Sequence, residues 1–218
     1  MKKILLLVCG GLLIISGVSC KPANISTPSP SETPDISSTW LTTWLTQPAC
    51  KLPCWQNITP GVTTIDEAVS ILEKMPDTTI TYNEKDGVDW EFGSTKNDGG
   101  WLVAQDGIVN FVVLDLLHSK VALEALVASY GYPSYVEPYD CQQGDSSGMC
   151  LTMLIYPDSG MLVDTDLEDL GNHRVKIQPE TEVWRITLIQ PGLENYKKIP
   201  DFQDYGILME WKGYGSYP

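Results

Sequence analysis

The sequence predicts an α+β fold of two tandem repeats, each one helix followed by a three- or four-stranded antiparallel sheet. Three observations carry the prediction. Apolar residues fall at i, i+3, i+4, i+7 twice, at Ile65, Ala68, Val69 and Leu72 and again at Leu123, Leu126, Val127 and Tyr130, each time giving a helix one apolar face. A proline follows each stretch, Pro76 and then Pro133. Short runs rich in β-branched and aromatic residues come next in both halves, separated by turn residues, as the strands of a meander are. A helix lying on the antiparallel strands that follow it is the α+β plan, and the repeats are placed at 39–117 and 118–218.

Lys2 and Lys3 open the chain ahead of Ile4 to Val18, an apolar run of fifteen residues without a charge. A spanning helix needs roughly 20 apolar residues, so this run suits a signal peptide over 1–19. Gly17, Val18 and Ser19 lead into Cys20. The segment resembles a bacterial lipoprotein signal, with Gly17 where that family has Leu. The resemblance implies cleavage before Cys20, a diacylglyceryl thioether on its sulfur and an acyl chain on its freed amine. Ordinary secretory cleavage nearby is the alternative. Each buried methylene contributes about 0.8 kcal/mol, so several chains anchor durably where one does not. Residues 20–38 are then the lipidated cysteine and a tether rich in Pro, Ser and Thr, a composition that stays solvated. The expected location is extracytoplasmic, lipid-anchored on the outer face of the cell membrane or its periplasmic side, with the membrane a partner through Cys20.

The formal charge is −14, and loss of Lys2 and Lys3 with the signal makes it more negative still. Nucleic acid and anionic lipid need a basic footprint and are disfavoured as partners. Hydrophobic residues make up 43%, enough for a proper core. Cys9 leaves with the signal, so beside Cys20 the chain keeps Cys50, Cys54, Cys141 and Cys150. An even number in an exported chain reads as disulfides, with three connectivities open. The local pairing, Cys50–Cys54 with Cys141–Cys150, is preferred because each pair brackets a short loop. The spacings C-x3-C and C-x8-C fit no usual zinc ribbon or finger, and neither metal nor cofactor is expected.

In the first repeat, Thr64 and Glu67 form an S/T-x-x-E capping box ahead of the apolar face. Strands are predicted at 79–82, 88–92, 101–104 and 108–117, the last two joined by Gln105-Asp106-Gly107, where Asp-Gly suits the positive φ of a tight hairpin turn. In the second, Ser119 is expected to cap the helix and Gly131 to end it. Strands follow at 134–139, 150–156, 161–166 and 183–190, with a turn at Pro157-Asp158-Ser159-Gly160. The stretch "ITPGVTTIDEAVSIL…P", through Gly61, Thr63, Leu72 and Pro76, is similar to the opening of the SmpA/OmlA (BamE-like) lipoprotein domain. "LEALVASYGYP", through Gly131 and Pro133, is similar to the helix end of the same motif. Two such units in tandem resemble the β-lactamase-inhibitory-protein architecture. The chain also resembles uncharacterised predicted lipoproteins carrying "PCW…I.PG.TT…A..IL". These resemblances imply a binding or scaffolding role in the envelope.

Candidate chemistry is sparse. "GDSSG" at 144–148 fits G-x-S-x-G with Ser146 as nucleophile, but an elbow needs a strand before it and a helix after it. Here a strand follows, and the histidine choices are His118 and His173. "DTDLED" gathers Asp164, Asp166, Glu168 and Asp169; Asp169 and Val175 stand where an EF-hand loop wants Gly and Glu, so a solvated acidic loop is expected before a calcium site. The 7 Trp and 10 Tyr are many for this length. Trp40 and Trp44 share one face of a short helix, while Trp211, Tyr214 and Tyr217 close the chain. Such rings suit interfaces and carbohydrate faces, but the favoured reading is that they cover the ends of the sheets as core. The expected function is non-enzymatic binding or scaffolding in the bacterial envelope, with a protein or glycan partner and no nucleic acid. The alternatives are a small serine hydrolase using Ser146 with His173, or a solute-binding lipoprotein.

Overall fold

The computed structural model describes residues 36–93, 98–119, 121–141, 149–168, 170–171, 174–197, 199 and 207–218. The elements in chain order are α1 (Ile36–Thr46), α2 (Ile65–Leu72), β1 (Thr78–Glu84), β2 (Gly87–Phe92), β3 (Asp98–Gln105), β4 (Ile108–Leu116), β5 (Val121–Ala122), α3 (Leu123–Tyr130), β6 (Tyr135–Cys141) and β7 (Met149–Tyr156). After a 3-10 turn at Pro157–Ser159 come β8 (Met161–Glu168), β9 (Val175–Ile177), β10 (Glu182–Ile189), α4 (Leu193–Tyr196), β11 (Met209–Glu210) and β12 (Gly215–Tyr217). Local chemistry accounts for most of the boundaries. Thr64 accepts from the Glu67 amide while the Glu67 carboxylate accepts from the Thr64 amide, closing the capping box at the start of α2. Asp106 and Gly107 both take positive φ between β3 and β4, and Gly160 takes it before β8.

The predicted α+β plan of two helix-plus-sheet repeats is overturned. Ten strands among the described residues run in one antiparallel sheet ordered β1-β2-β3-β4-β10-β8-β7-β6-β11, with β5 added on β10, while β9 and β12 pair in a separate two-stranded sheet. The fold is predominantly β, and its helices are short, the longest 11 residues and two of them 8. The physical reason lies in β4 and β10. Val112, Val113 and Leu114 are all buried, as are Ile186, Thr187, Leu188 and Ile189, so the middle of each strand is buried on both faces. They pair with each other, Arg185 opposite Asp115 through Ile189 opposite Phe111, and this seam fuses the two meanders into one sheet. A second correction concerns Ser119. It does not cap α3, whose first turn follows Ala122 without a side-chain cap. Instead the buried Asp98 carboxylate accepts from the His118 and Ser119 amides and from the Ser119 hydroxyl, tying down the link between β4 and β5.

The inner face of the sheet carries the main core. Val88, Trp90, Leu102, Val112, Leu114, Ile186, Leu188, Val163 and Leu154 lie in it with Leu72, Leu123 and Leu126 of the helices and Leu41 and Trp44 of α1. Trp55 stacks on Trp90 at 5.4 Å between ring centroids, and Trp40 stacks on Phe92 at 4.8 Å. Gly100 makes room for this: a Cβ there would sit 2.6 Å from the Trp90 ring and 2.1 Å from the Val113 carbonyl oxygen. Cys50 and Cys54 are disulfide-bonded with Cα atoms 5.6 Å apart, closing the loop that carries Trp55 into the core. The outer face is covered only in part: Tyr196 of α4 and Ile199 pack on Met153, Ile155, Leu162 and Ile189. Among the described residues, no helix is long and apolar enough to cross a membrane.

Candidate functional site

Strand alternation sends every second side chain to the outer face, and register then sets which of these meet. One row crosses the sheet from β2 to β6: Glu91 opposite Gly99, Gly99 opposite Asp115, Asp115 opposite Arg185, Arg185 opposite Asp164, Asp164 opposite Met153, and Met153 opposite Glu137. Directly opposed residues stand close enough to interact. The row therefore holds four carboxyl groups around one arginine, and that arginine sits on the seam.

Arg185 is held from three sides. Its Nε donates to Asp115 Oδ1 at 2.8 Å, with the two side chains 30% and 21% exposed. Its guanidinium lies 4.6 Å from the Trp101 ring centroid and 4.4 Å from that of Trp184, so both indole faces attract the cation. A β-bulge between Val183 and Arg185 sets Trp184 and Arg185 side by side, as such an extra residue re-aims side chains. Trp184 Nε1 is buried without a hydrogen bond of good geometry, yet it faces Asp166. Burial raises the Asp166 carboxyl, and the indole pulls it part of the way back. At the covered end, burial likewise raises Glu137, opposed by the hydrogen bond that Tyr196 donates to its Oε2. Burial, then the Glu137 bond and charge, push the Tyr196 hydroxyl up.

The other end of this face differs. Around Arg185 the β2–β4 half is open: Asp89 and Gln105 are exposed, and Glu91, Trp101, Val103 and Phe111 are half-buried. Where this open half meets α4 there is a cavity of about 200 Å³ lined by Asn110, Phe111, Ile189, Gln190, Asn195 and Ile199. It lies about 13 Å along β10 from Arg185, at 3.3 Å per residue. Asn110 is the unpaired residue of a bulge, since Ala104 pairs with Val109 and Val103 with Phe111. Gln190 packs directly on Gly61, where a Cβ would overlap its carboxamide and φ is +79°. Asn195 Nδ2 donates to the Pro191 carbonyl.

The residues singled out from sequence scatter over the molecule. Cys20, Ser146, His173 and Asp169 lie outside the described residues. His118 is exposed and gives its backbone amide to Asp98. Cys150 is buried and disulfide-bonded, and Cys141 is its backbone register partner across β6 and β7. Asp164, Asp166 and Glu168 are not in a loop but in β8, alternating along one strand, which spaces them about 7 Å apart. Trp44 is buried in the core, and half-buried Trp40 packs against it. Trp211 and Tyr214 instead form a surface cluster with Tyr132, which is 64% exposed: Trp211 stacks on Tyr132 at 6.3 Å and on Tyr217 at 5.8 Å, with Tyr214 edge-on at 5.6 Å. Sequence reading passed over Arg185, Trp101 and Trp184, which sit in runs recognised only as strands. A lone arginine in "VWRITLIQ" was the available signal. No protein-family model, curated protein or solved structure matches the chain.

Proposed function

We propose that this protein is a lipid-anchored extracytoplasmic binding or scaffolding protein of the bacterial envelope, held to the membrane through Cys20, and that the open half of its outer sheet face is the contact surface. One observation carries the reading: an arginine clamped between two tryptophans on the part of the outer sheet face that stays open among the described residues. Trp, Tyr and Arg supply most of the energy at binding hot spots, because they offer large rigid area and directed hydrogen bonds at little entropic cost. Arg185 is already ordered by Asp115 and the two indoles, so little freedom is lost when a partner arrives. The surrounding Asp89, Glu91, Asp115 and Asp166 and the net charge of −14 favour a basic or neutral partner surface. The reading assigns binding and no catalytic step.

The test is cross-linking capture from intact cells with the wild type, Cys20→Ser, Arg185→Ala and Trp101→Ala side by side. The expected result is a discrete envelope partner with the wild type, lost with Cys20→Ser through mislocalisation and reduced at least about tenfold with either face variant, as truncation of one hot-spot residue implies. Equal capture by the wild type and both face variants would remove the outer face from consideration.

A further inference from the structure

We infer, building on the reading of an extracytoplasmic binding protein, that the cavity at the end of the outer face holds a single neutral sugar ring. The cavity measures about 200 Å³, below the roughly 300–1,000 Å³ of pockets for drug-sized ligands and close to the space of seven waters at about 30 Å³ each. That is room for one six-membered ring and its hydroxyls.

The lining selects the chemistry. Asn110, Gln190 and Asn195 bring three carboxamides and Phe111 one half-buried aromatic face, with no charged side chain among the described lining residues. A carboxamide both donates and accepts, which matches a sugar hydroxyl that does the same, while a flat ring accepts the C–H face of the sugar. Asn110 and Gln190 are both exposed, so their carboxamides can reach a ligand. Asn195 is oriented by its bond to the Pro191 carbonyl. The site is also structurally prepared: Gly61 leaves the space that Gln190 fills, and the bulge at Asn110 turns that residue out of the ladder. An anionic sugar finds no cation among the described lining residues and meets an acidic molecule of net charge −14, so a neutral ring is the fitting class.

The experiment is a titration of the full-length, detergent-solubilised protein with glucose, galactose, mannose and N-acetylglucosamine, followed by ligand-observed NMR. Glucuronate and an N-acetylated dipeptide amide are the comparison ligands. At least one neutral sugar is expected to saturate in the millimolar range, with glucuronate at least about tenfold weaker. Asn110→Ala and Gln190→Ala should each cost about tenfold in affinity, the worth of one hydrogen bond. Both residues are exposed, and an unchanged melting curve confirms that the variants fold. The inference falls if no neutral sugar saturates, if neither alanine variant weakens binding, or if the dipeptide amide binds in an alanine-sensitive way and the sugars do not. Partner capture through Trp101 and Arg185 uses no sugar. Persistent capture with a failed titration therefore overturns this inference and leaves the proposed function standing.

Discussion

Gly100 shows how much one absent methyl controls. Its place on β3 lies under the Trp90 ring, which Trp55 covers in turn. Gly100→Ala is expected to lower unfolding free energy by about 2–3 kcal/mol, because overpacked cores respond by strained rotamers and backbone shifts; urea unfolding followed by tryptophan emission reads it directly. Glu137 gives a different single-residue outcome. Burial raises its carboxyl above the ordinary glutamate value, against the Tyr196 bond, so the folded state holds a proton that the unfolded chain releases. Its contribution is complete below the unfolded value and is lost as pH rises through the raised one. Asp166 acts in the same direction, and Glu67, lowered by its Thr64 bonds, acts in the opposite direction at lower pH. Wild type should therefore lose stability as pH rises from just below the ordinary carboxyl value to above the raised one. Glu137→Gln should flatten that decline; an unaltered slope in pH-resolved urea titrations would show that this carboxyl ionises normally.

At the scale of elements, α2 stands on its cap and its packing, since 8 residues are too few for a helix to persist by propensity alone. Thr64→Ala removes both the accepting hydroxyl and the reciprocal box, and about 1 kcal/mol of stability with it, a loss visible as a lower urea midpoint at constant slope. That box was legible in the sequence, as were the hairpin at Asp106-Gly107, the Cys50–Cys54 bond and each long strand of the sheet, because all depend on neighbours within a few residues. What the sequence concealed depends on distance along the chain. The Asp98 carboxylate reaches Ser119 across 21 residues, and the Arg185–Asp115 pair spans 70. Local periodicity assigned Ser119 to a helix cap and Arg185 to nothing, because only the register of strands from different halves brings the competing partner to each. The acidic stretch reads two ways from its residues, as the end of a strand at 161–166 and as a solvated loop at 164–169; the buried Asp164 and the pairing of β8 on both edges hold it in the sheet through Glu168.

At the scale of the whole molecule, the strand order places β4 and β10 at the centre, with each half running outward from them. Two independent repeats would melt in two steps. With a largely buried seam and a core cluster that includes residues of both halves, a single cooperative transition is expected by calorimetry, with van't Hoff and calorimetric enthalpies equal. Two resolved transitions would mean that the seam contributes little. The seam also has a kinetic side. Hairpins such as β1–β2, β3–β4 and β7–β8 can zip locally, but β4 finds β10 only after the whole second meander has been placed, and such non-local pairings form slowly. Until then Val112, Leu114, Ile186 and Leu188 border two bare strand edges, which recruit strands from other molecules as readily as each other. The lifetime of that half-zipped species, more than the depth of the native well, governs how much protein is recovered when the chain is refolded at high concentration.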